Sequence, residues 1–325
     1  MKHFAILCLG LALLAACRKD DIIVCENPVG ASFADLKAAA PAVQTFAFDL
    51  GQAQSIRTSG GAKVAFGASA YLLPNGSVAT GQTRLRLREI YTVPDMILAN
   101  MPTTAAYSRQ VLISGGKFDI QVWQGTARLR LAAVSATGMV QRLILTSPVP
   151  PAGLNTTRIL LWKQPANASA GTARDSSGWL LATTPGSTTP SNPIRMPATA
   201  GYYTAAIALD SISKWNIDQL WHIYQNSPIG PIGVEVPGTT ATVTRVFFRP
   251  VGFNGVARAN LSYASATHWY CYLPYGADMV VVVLQERDGR LYYGTQRLTT
   301  ATNAVAPPTL EALSAAEIAR RIRLL

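Results

Sequence analysis

The chain has 325 residues, of which 14% are charged, and a formal net charge of +11. That length accommodates two domains with a sizeable core in each, while the scarcity of charge and of long amphipathic periodicity excludes a helical bundle. The positive balance does not by itself make a nucleic-acid surface, because the arginines are spread singly along strand-like runs. Arg84, Arg86 and Arg88 alternate with Leu85 and Leu87, and Arg128 and Arg130 with Leu129 and Leu131. Alternation of this kind puts charge on a solvated face and leucine on a buried one. With 25 glycines, 20 prolines and abundant Ser and Thr, the composition is that of a turn-rich, all-β extracellular protein.

The first element in chain order is a short secretory signal. Lys2 provides a positive start, residues 4–14 are apolar, and Ala15 and Ala16 lead into Cys17. The apolar run is too short for a bilayer core of about 30 Å. Leu14-Ala15-Ala16-Cys17 resembles the lipobox of bacterial lipoproteins. The resemblance implies cleavage before Cys17, diacylglycerol on its thiol and membrane attachment through that lipid; two or more acyl chains anchor stably where one does not. Residues 1–16 are then a signal peptide and 17–41 a lipidated tether. Arg18-Lys19-Asp20-Asp21 resembles the export signal of surface lipoproteins in the Bacteroidetes group, which implies an outer-membrane protein facing the extracellular side. The plainer reading of these four residues is a solvated charged tether.

Strand signals dominate from residue 42. Short alternating or apolar runs at 44–50, 62–66, 83–90, 117–123, 127–133 and 141–145 are bounded by Gly, Pro, Asn or Ser. Runs at 158–162, 178–183 and 202–209 complete a first β-sandwich of the immunoglobulin-like kind over 42–225. Pro74-Asn75-Gly76 is a turn, since Asn and Gly tolerate positive φ. Residues 226–238, with Pro228, Pro231 and Pro237, read as an interdomain linker. Strands at 241–248, 256–263, 269–273, 279–286 and 291–298 then form a second, smaller sandwich over 239–308, with Asp288-Gly289 as a hairpin turn. Residues 309–325 hold a terminal helix opened by the capping box Ser314-Ala315-Ala316-Glu317, with Ile318, Ile322 and Leu325 on one face.

Several segments carry a family resemblance. They are Asn75-Gly76-Ser77-Val78-Ala79-Thr80-Gly81, Leu85-Arg86-Leu87-Arg88-Glu89, residues 95–103, and Leu112-Ile113-Ser114-Gly115-Gly116-Lys117-Phe118. Lys214-Trp215-Asn216-Ile217-Asp218 belongs with them. Together they resemble Bacteroidetes surface lipoproteins of unassigned function, whose N-terminal module is similar to the β-sandwich shared by ankyrins and netrin receptors. The resemblance implies a fold and a location, and neither catalytic residues nor a ligand. Residues 65–70 depart from it, lacking the proline that relatives tend to carry there.

Candidate chemistry is sparse. Beyond the signal the histidines are His222 and His268, each among aromatics, and no acidic residue is spaced along the sequence to orient either. Cys25 and Cys271 could pair in an oxidising compartment or remain separate thiols. No cysteine spacing suits a metal, so neither metal nor cofactor is expected. Carboxylate pairs for glycosidase-type work are Glu89 with Asp95, Asp210 with Asp218, and Glu286 with Asp288, though turns and strand ends account for most of them. No nucleophile elbow, phosphate-cradling loop or zinc-protease helix occurs.

Aromatics offer the remaining lead. Trp215, Trp221 and Tyr224 form one cluster, and Trp269, Tyr270, Tyr272 and Tyr275 another; such rings stack on sugars or, more ordinarily, fill cores. Within a strand Trp269 and Tyr270 must face opposite ways, so one set is core. The sequence thus reads as a non-enzymatic outer-membrane lipoprotein that binds or scaffolds an envelope protein or polysaccharide, with no nucleic-acid partner. The alternatives are a carbohydrate-binding accessory lipoprotein and a hydrolase with an unrecognised carboxylate site.

Overall fold

A computed structural model of the chain describes residues 31–67, 71–106, 110–131, 143–149, 159–164, 178–182, 201–207, 214–221, 228–236, 243–262, 264–301 and 307–325. The fold is all-β, with antiparallel sheets packed face to face and three helices among the described residues. The first half contains helix α1 (Phe33–Ala38) and strands β1 (Gln44–Asp49), β2 (Gln54–Arg57), β3 (Lys63–Phe66), β4 (Tyr71–Leu72) and β5 (Gln82–Ile90). Helix α2 (Val93–Leu98) and strands β6 (Leu112–Gln124), β7 (Ala127–Arg128), β8 (Arg130–Leu131) and β9 (Leu143–Pro148) follow. Then come β10 (Leu160–Lys163), β11 (Leu180–Leu181), β12 (Tyr202–Ile207) and β13 (Lys214–Leu220).

One sheet runs β1-β5-β6-β13-β10-β11, with β7 added to β6; a second runs β12-β9-β3-β2. Leu85, Leu87, Phe118 and Ile120 of the first meet Val64, Leu143, Leu145 and Tyr203 of the second in one apolar core. Full burial of each such side chain contributes about 1.5–3 kcal/mol. The Arg–Leu alternation of β5 behaves as its period dictates, with Leu85 and Leu87 buried while Arg84 and Arg86 face water.

The second half contains β14 (Ile229–Glu235), β15 (Thr244–Pro250), β16 (Ala257–Arg258), β17 (Asn260–Leu261) and β18 (His268–Pro274). It ends with β19 (Asp278–Arg287), β20 (Arg290–Thr299), β21 (Glu311–Leu313) and helix α3 (Ala315–Ile322). A three-stranded sheet β14-β18-β17 covers a five-stranded sheet β16-β15-β19-β20-β21 over a core that includes Val234, Val246, Trp269, Leu273 and Val281. The Asp288-Gly289 turn joins β19 to β20 with both residues at positive φ (51° and 69°), the backbone that a two-residue hairpin needs.

Two sequence-based boundaries are corrected. The linker expected over 226–238 is overturned at its centre, because Ile229–Glu235 pairs residue for residue with His268–Pro274. Gly and Pro read as loop signals, but β14 is an edge strand, where one row of N–H groups lacks a sheet partner and Pro231 is tolerated. Nor are residues 17–41 wholly a tether. Phe33–Ala38 is a helix whose cap is reciprocal: Asp35 N–H donates to Ser32 Oγ (3.3 Å), and Ser32 N–H donates to the Asp35 carboxylate (2.8 Å).

That helix belongs to a third core, which fuses the halves. Phe33 and Leu36 of α1, Met96 and Ile97 of α2, and Ile318 and Ile322 of α3 pack with Trp162 of the first sandwich and Phe247, Leu284 and Tyr293 of the second. Backbone hydrogen bonds cross the same boundary: Thr103 N–H donates to Val256 O and Ser114 N–H to Asn254 O, both at 2.7 Å. The terminal helix is capped by Ser314, whose Oγ accepts from Glu317 N–H at 3.2 Å. Its arginines are engaged locally, Arg320 and Arg321 with Glu317 and Arg321 also with Glu311.

Candidate functional site

Strand β18 alternates strictly. Trp269, Cys271 and Leu273 point into the second core, while His268, Tyr270 and Tyr272 lie half-exposed on the outer face of the small sheet. Period-two geometry makes this division, and the neighbouring strand clears space for it. Gly233 stands opposite Tyr270 in the ladder, and a Cβ there would come within 2.2 Å of the His268 ring. The absence of a side chain at 233 therefore lets the imidazole lie across β14. His268 and Tyr270 are nearly parallel, with centroids 6.2 Å apart and an interplanar angle of 20°. Tyr272 stands edge-on to Tyr270 at 6.0 Å and 74°. The exposed side chain of Ile229 (45%) and Pro231 extend the same face along β14.

The acid that orients His268 comes from across the ladder. Glu235 is its register partner, and Nδ1 lies 2.7 Å from Glu235 Oε1. This corrects the expectation that no acidic residue serves the histidine; 33 positions of chain separate the two, and sheet pairing joins them. Thr267 Oγ1 donates to the other carboxylate oxygen at 2.8 Å. These hydrogen bonds, Thr267 first and His268 next, hold the Glu235 carboxyl below the usual carboxylate range. The result is an aromatic row with an ionised acceptor at one end.

The other sequence-nominated aromatics are not brought to this face. Trp269 has no exposed surface, and Trp215 belongs to the first core. Trp221 is buried at the junction of the halves, tilted against Phe253 at 4.5 Å. All three tryptophans are thereby corrected from glycan candidates to packing residues, while Tyr270 and Tyr272 keep half-exposed positions. Tyr224 and His222 lie outside the described residues, as do Leu14, Ala15, Ala16, Cys17, Arg18, Lys19, Asp20, Asp21 and Cys25. Cys271 is a buried thiol pushed well up by desolvation.

The nominated carboxylates have local employment. Glu89 accepts from Thr58 Oγ1 (2.8 Å), Tyr91 Oη (2.8 Å), Gln44 Nε2 (2.7 Å), Gly60 N–H (3.1 Å) and Ala62 N–H (3.3 Å), tying the β2–β3 turn to β5. Asp95 accepts from Thr92 at the start of α2, Glu286 accepts Phe33 N–H of α1 at 2.7 Å, and Asp288 forms the hairpin. Asp218 is fully buried, and Asp210 lies outside the described residues. Among the described residues no group of three His, Cys, Asp or Glu is placed to hold a metal ion. No family model, curated protein or solved structure matches this chain.

Proposed function

We propose that this protein is a non-enzymatic outer-membrane lipoprotein, anchored through lipid on Cys17 and turned to the cell exterior, whose second sandwich presents a binding face to an envelope component. The observation that carries the binding face is the row His268, Tyr270 and Tyr272 on the outer side of the small sheet, backed by Gly233 and flanked by Glu235. Half-exposed rings supply apolar contact area at a small entropic cost and keep a polar tip for hydrogen bonding. The anchor and address are supported by Leu14-Ala15-Ala16-Cys17, by Arg18 to Asp21, and by the resemblance to surface lipoproteins.

A saccharide is the ligand class that the near-parallel His268–Tyr270 pair favours, because a sugar ring has an apolar C–H face bordered by hydroxyls. The rings would meet that face and the Glu235 carboxylate the hydroxyls. The full chain, probed on an array of glycans and envelope components, is expected to bind polysaccharide, with binding lost in Tyr270→Ala. Binding to an envelope protein alone, still lost in Tyr270→Ala, would keep the face and remove the saccharide; binding indifferent to Tyr270 would remove the face.

A further inference from the structure

The sequence segments that hold Lys117 and Asp218 are neighbours in the centre of the large sheet. Ser114 and Lys117 lie on β6, Asn216 and Asp218 on β13, and none of the four has any exposed surface. Lys117 stands directly opposite Asn216 in antiparallel register and Ser114 opposite Asp218, with an irregularity in the ladder between Asn216 and Asp218. Opposed residues leave the same face of a sheet with Cβ atoms about 4.5–5.5 Å apart, within the span of a lysine arm.

The Asn216 amide is held from both ends. Ser114 Oγ donates to Oδ1 at 3.2 Å, and Nδ2 donates to Asp218 Oδ2. Lys117 Nζ donates to the Met101 carbonyl, and Trp179 stands beside it with its ring centroid 5.4 Å away. Trp179 is fixed by its own Nε1–H to Pro102 O at 2.6 Å. Met101 and Trp179, both buried, thus cover the Lys117 amine.

Burial sets the protonation. Desolvation brings Lys117 down to about 7, against the opposing attraction of Asp218. It brings Asp218 up to about 7, against Lys117 and hydrogen bonds from Ser114, Asn216 and the Gly115 backbone. Separately ionised groups in such a site are costly, so the uncharged amine and uncharged carboxylic acid are both accessible near neutral pH. The uncharged amine is the nucleophilic form of lysine.

We propose that Lys117 and Asn216 form an intramolecular isopeptide cross-link between β6 and β13, with Asp218 as the proton-transfer group. The Nζ lone pair attacks Asn216 Cγ, and the Ser114 hydroxyl stabilises the charge that develops on Oδ1. Asp218 accepts a proton from Nζ and delivers one to Nδ2. The Nζ–Cγ bond forms, the Cγ–Nδ2 bond breaks, and ammonia leaves. No oxidant, reductant or co-reactant enters the balance, and Asp218 ends in the state in which it began. The product replaces a buried amine by a neutral amide and closes residues 118–215 into a covalent loop, which restricts the unfolded chain as a disulfide would.

Tryptic mapping of the full chain tests the bond directly. Cleavage after Arg109, Arg128, Lys214 and Arg245, with Lys117 blocked, leaves residues 110–128 joined to residues 215–245. The branched peptide is expected to be lighter than the two linear peptides together by one ammonia, and to be absent in Lys117→Met and Asn216→Ala. Recovery of separate peptides cut at Lys117 from the wild-type chain overturns the cross-link, whatever the variants do. A branched peptide lighter by one water makes Asp218 the acceptor and overturns the assignment to Asn216. Persistence of the link in Asp218→Asn overturns the role of Asp218.

Discussion

The outer face of β18 and the roofed face of β13 each line up polar side chains on one strand, yet one row meets water and the other does not. On β18, Tyr270 and the Glu235–His268 pair lose little hydration, so their arrangement is cheap to maintain and open to a ligand. On β13, Asn216 and Asp218 share a sealed space with Lys117, where every unmet donor or acceptor carries its desolvation penalty. The difference teaches that similar residue types have different work in the two places. Exposure suits recognition, whereas complete burial demands mutual satisfaction or a chemical change that removes the charge.

The sealed site is where substitution strikes hardest. Lys117→Ala removes the cross-link together with the buried lysine arm and is expected to lower unfolding stability by about 2–5 kcal/mol, read by denaturant titration. A loss as small as that of an exposed substitution would erase the contrast between the two rows. Glu89→Ala, which strands five donors at the β2–β3 turn, is expected to cost about 3 kcal/mol by the same measurement.

The pH dependence separates linked from unlinked protein. Lys117 is lowered from 10.5 to about 7 in the fold, so between those values the unfolded chain holds the extra proton and stability rises with pH. Asp218 is raised from 3.8 to about 7, so over that range the folded chain holds the extra proton and stability falls as pH rises. Tyr203, pushed up to about 12 by burial and then by the Asp218 charge, stays neutral through both windows. Without the link, the pair thus contributes a minimum near pH 7. An amide nitrogen does not titrate, so the rise above pH 7 is expected in Asn216→Ala and absent in the wild type. Denaturation midpoints measured across that window read the difference, and an equal rise in both proteins would contradict the cross-link.

On the open face the expected effects are smaller. Gly233→Ala places a methyl group against the His268 ring, forcing the imidazole off β14 and away from Glu235. We expect about 1 kcal/mol of destabilisation, in the range of a single local clash, and weakened ligand binding measured by titration of the full chain. Unchanged binding would show that the orientation of His268 does not matter to the face.

The division of β18 was legible from sequence, because a period of two forces Trp269 and Tyr270 apart whatever the rest of the fold does. The Asp288-Gly289 hairpin and the Ser314 cap were legible for the same reason, since each depends on a few adjacent residues. Strand β13 was not. Lys214-Trp215-Asn216-Ile217-Asp218 mixes polar and apolar residues because both faces of this central strand are covered, one by apolar side chains and the other by the polar cluster. Strand β14 was hidden by glycines and prolines whose meaning lies in neighbours: Gly233 makes room for His268, and Gly230 for Tyr275. The Glu235–His268 and Lys117–Asn216 pairings are set by ladder register over long separations, which no local pattern encodes. Trp215 and Trp221 fill cores, the more ordinary of the two readings their clustering allowed, since aromatic clustering alone does not say which side of a strand a ring will occupy.

The most direct test of the binding face is equilibrium titration of the full chain with an envelope polysaccharide, comparing wild type, Tyr270→Ala and Lys117→Met below their unfolding temperatures. The open row predicts that Tyr270→Ala loses binding while Lys117→Met, altered only in the sealed cluster, keeps it. Equal binding by Tyr270→Ala and wild type would contradict the account.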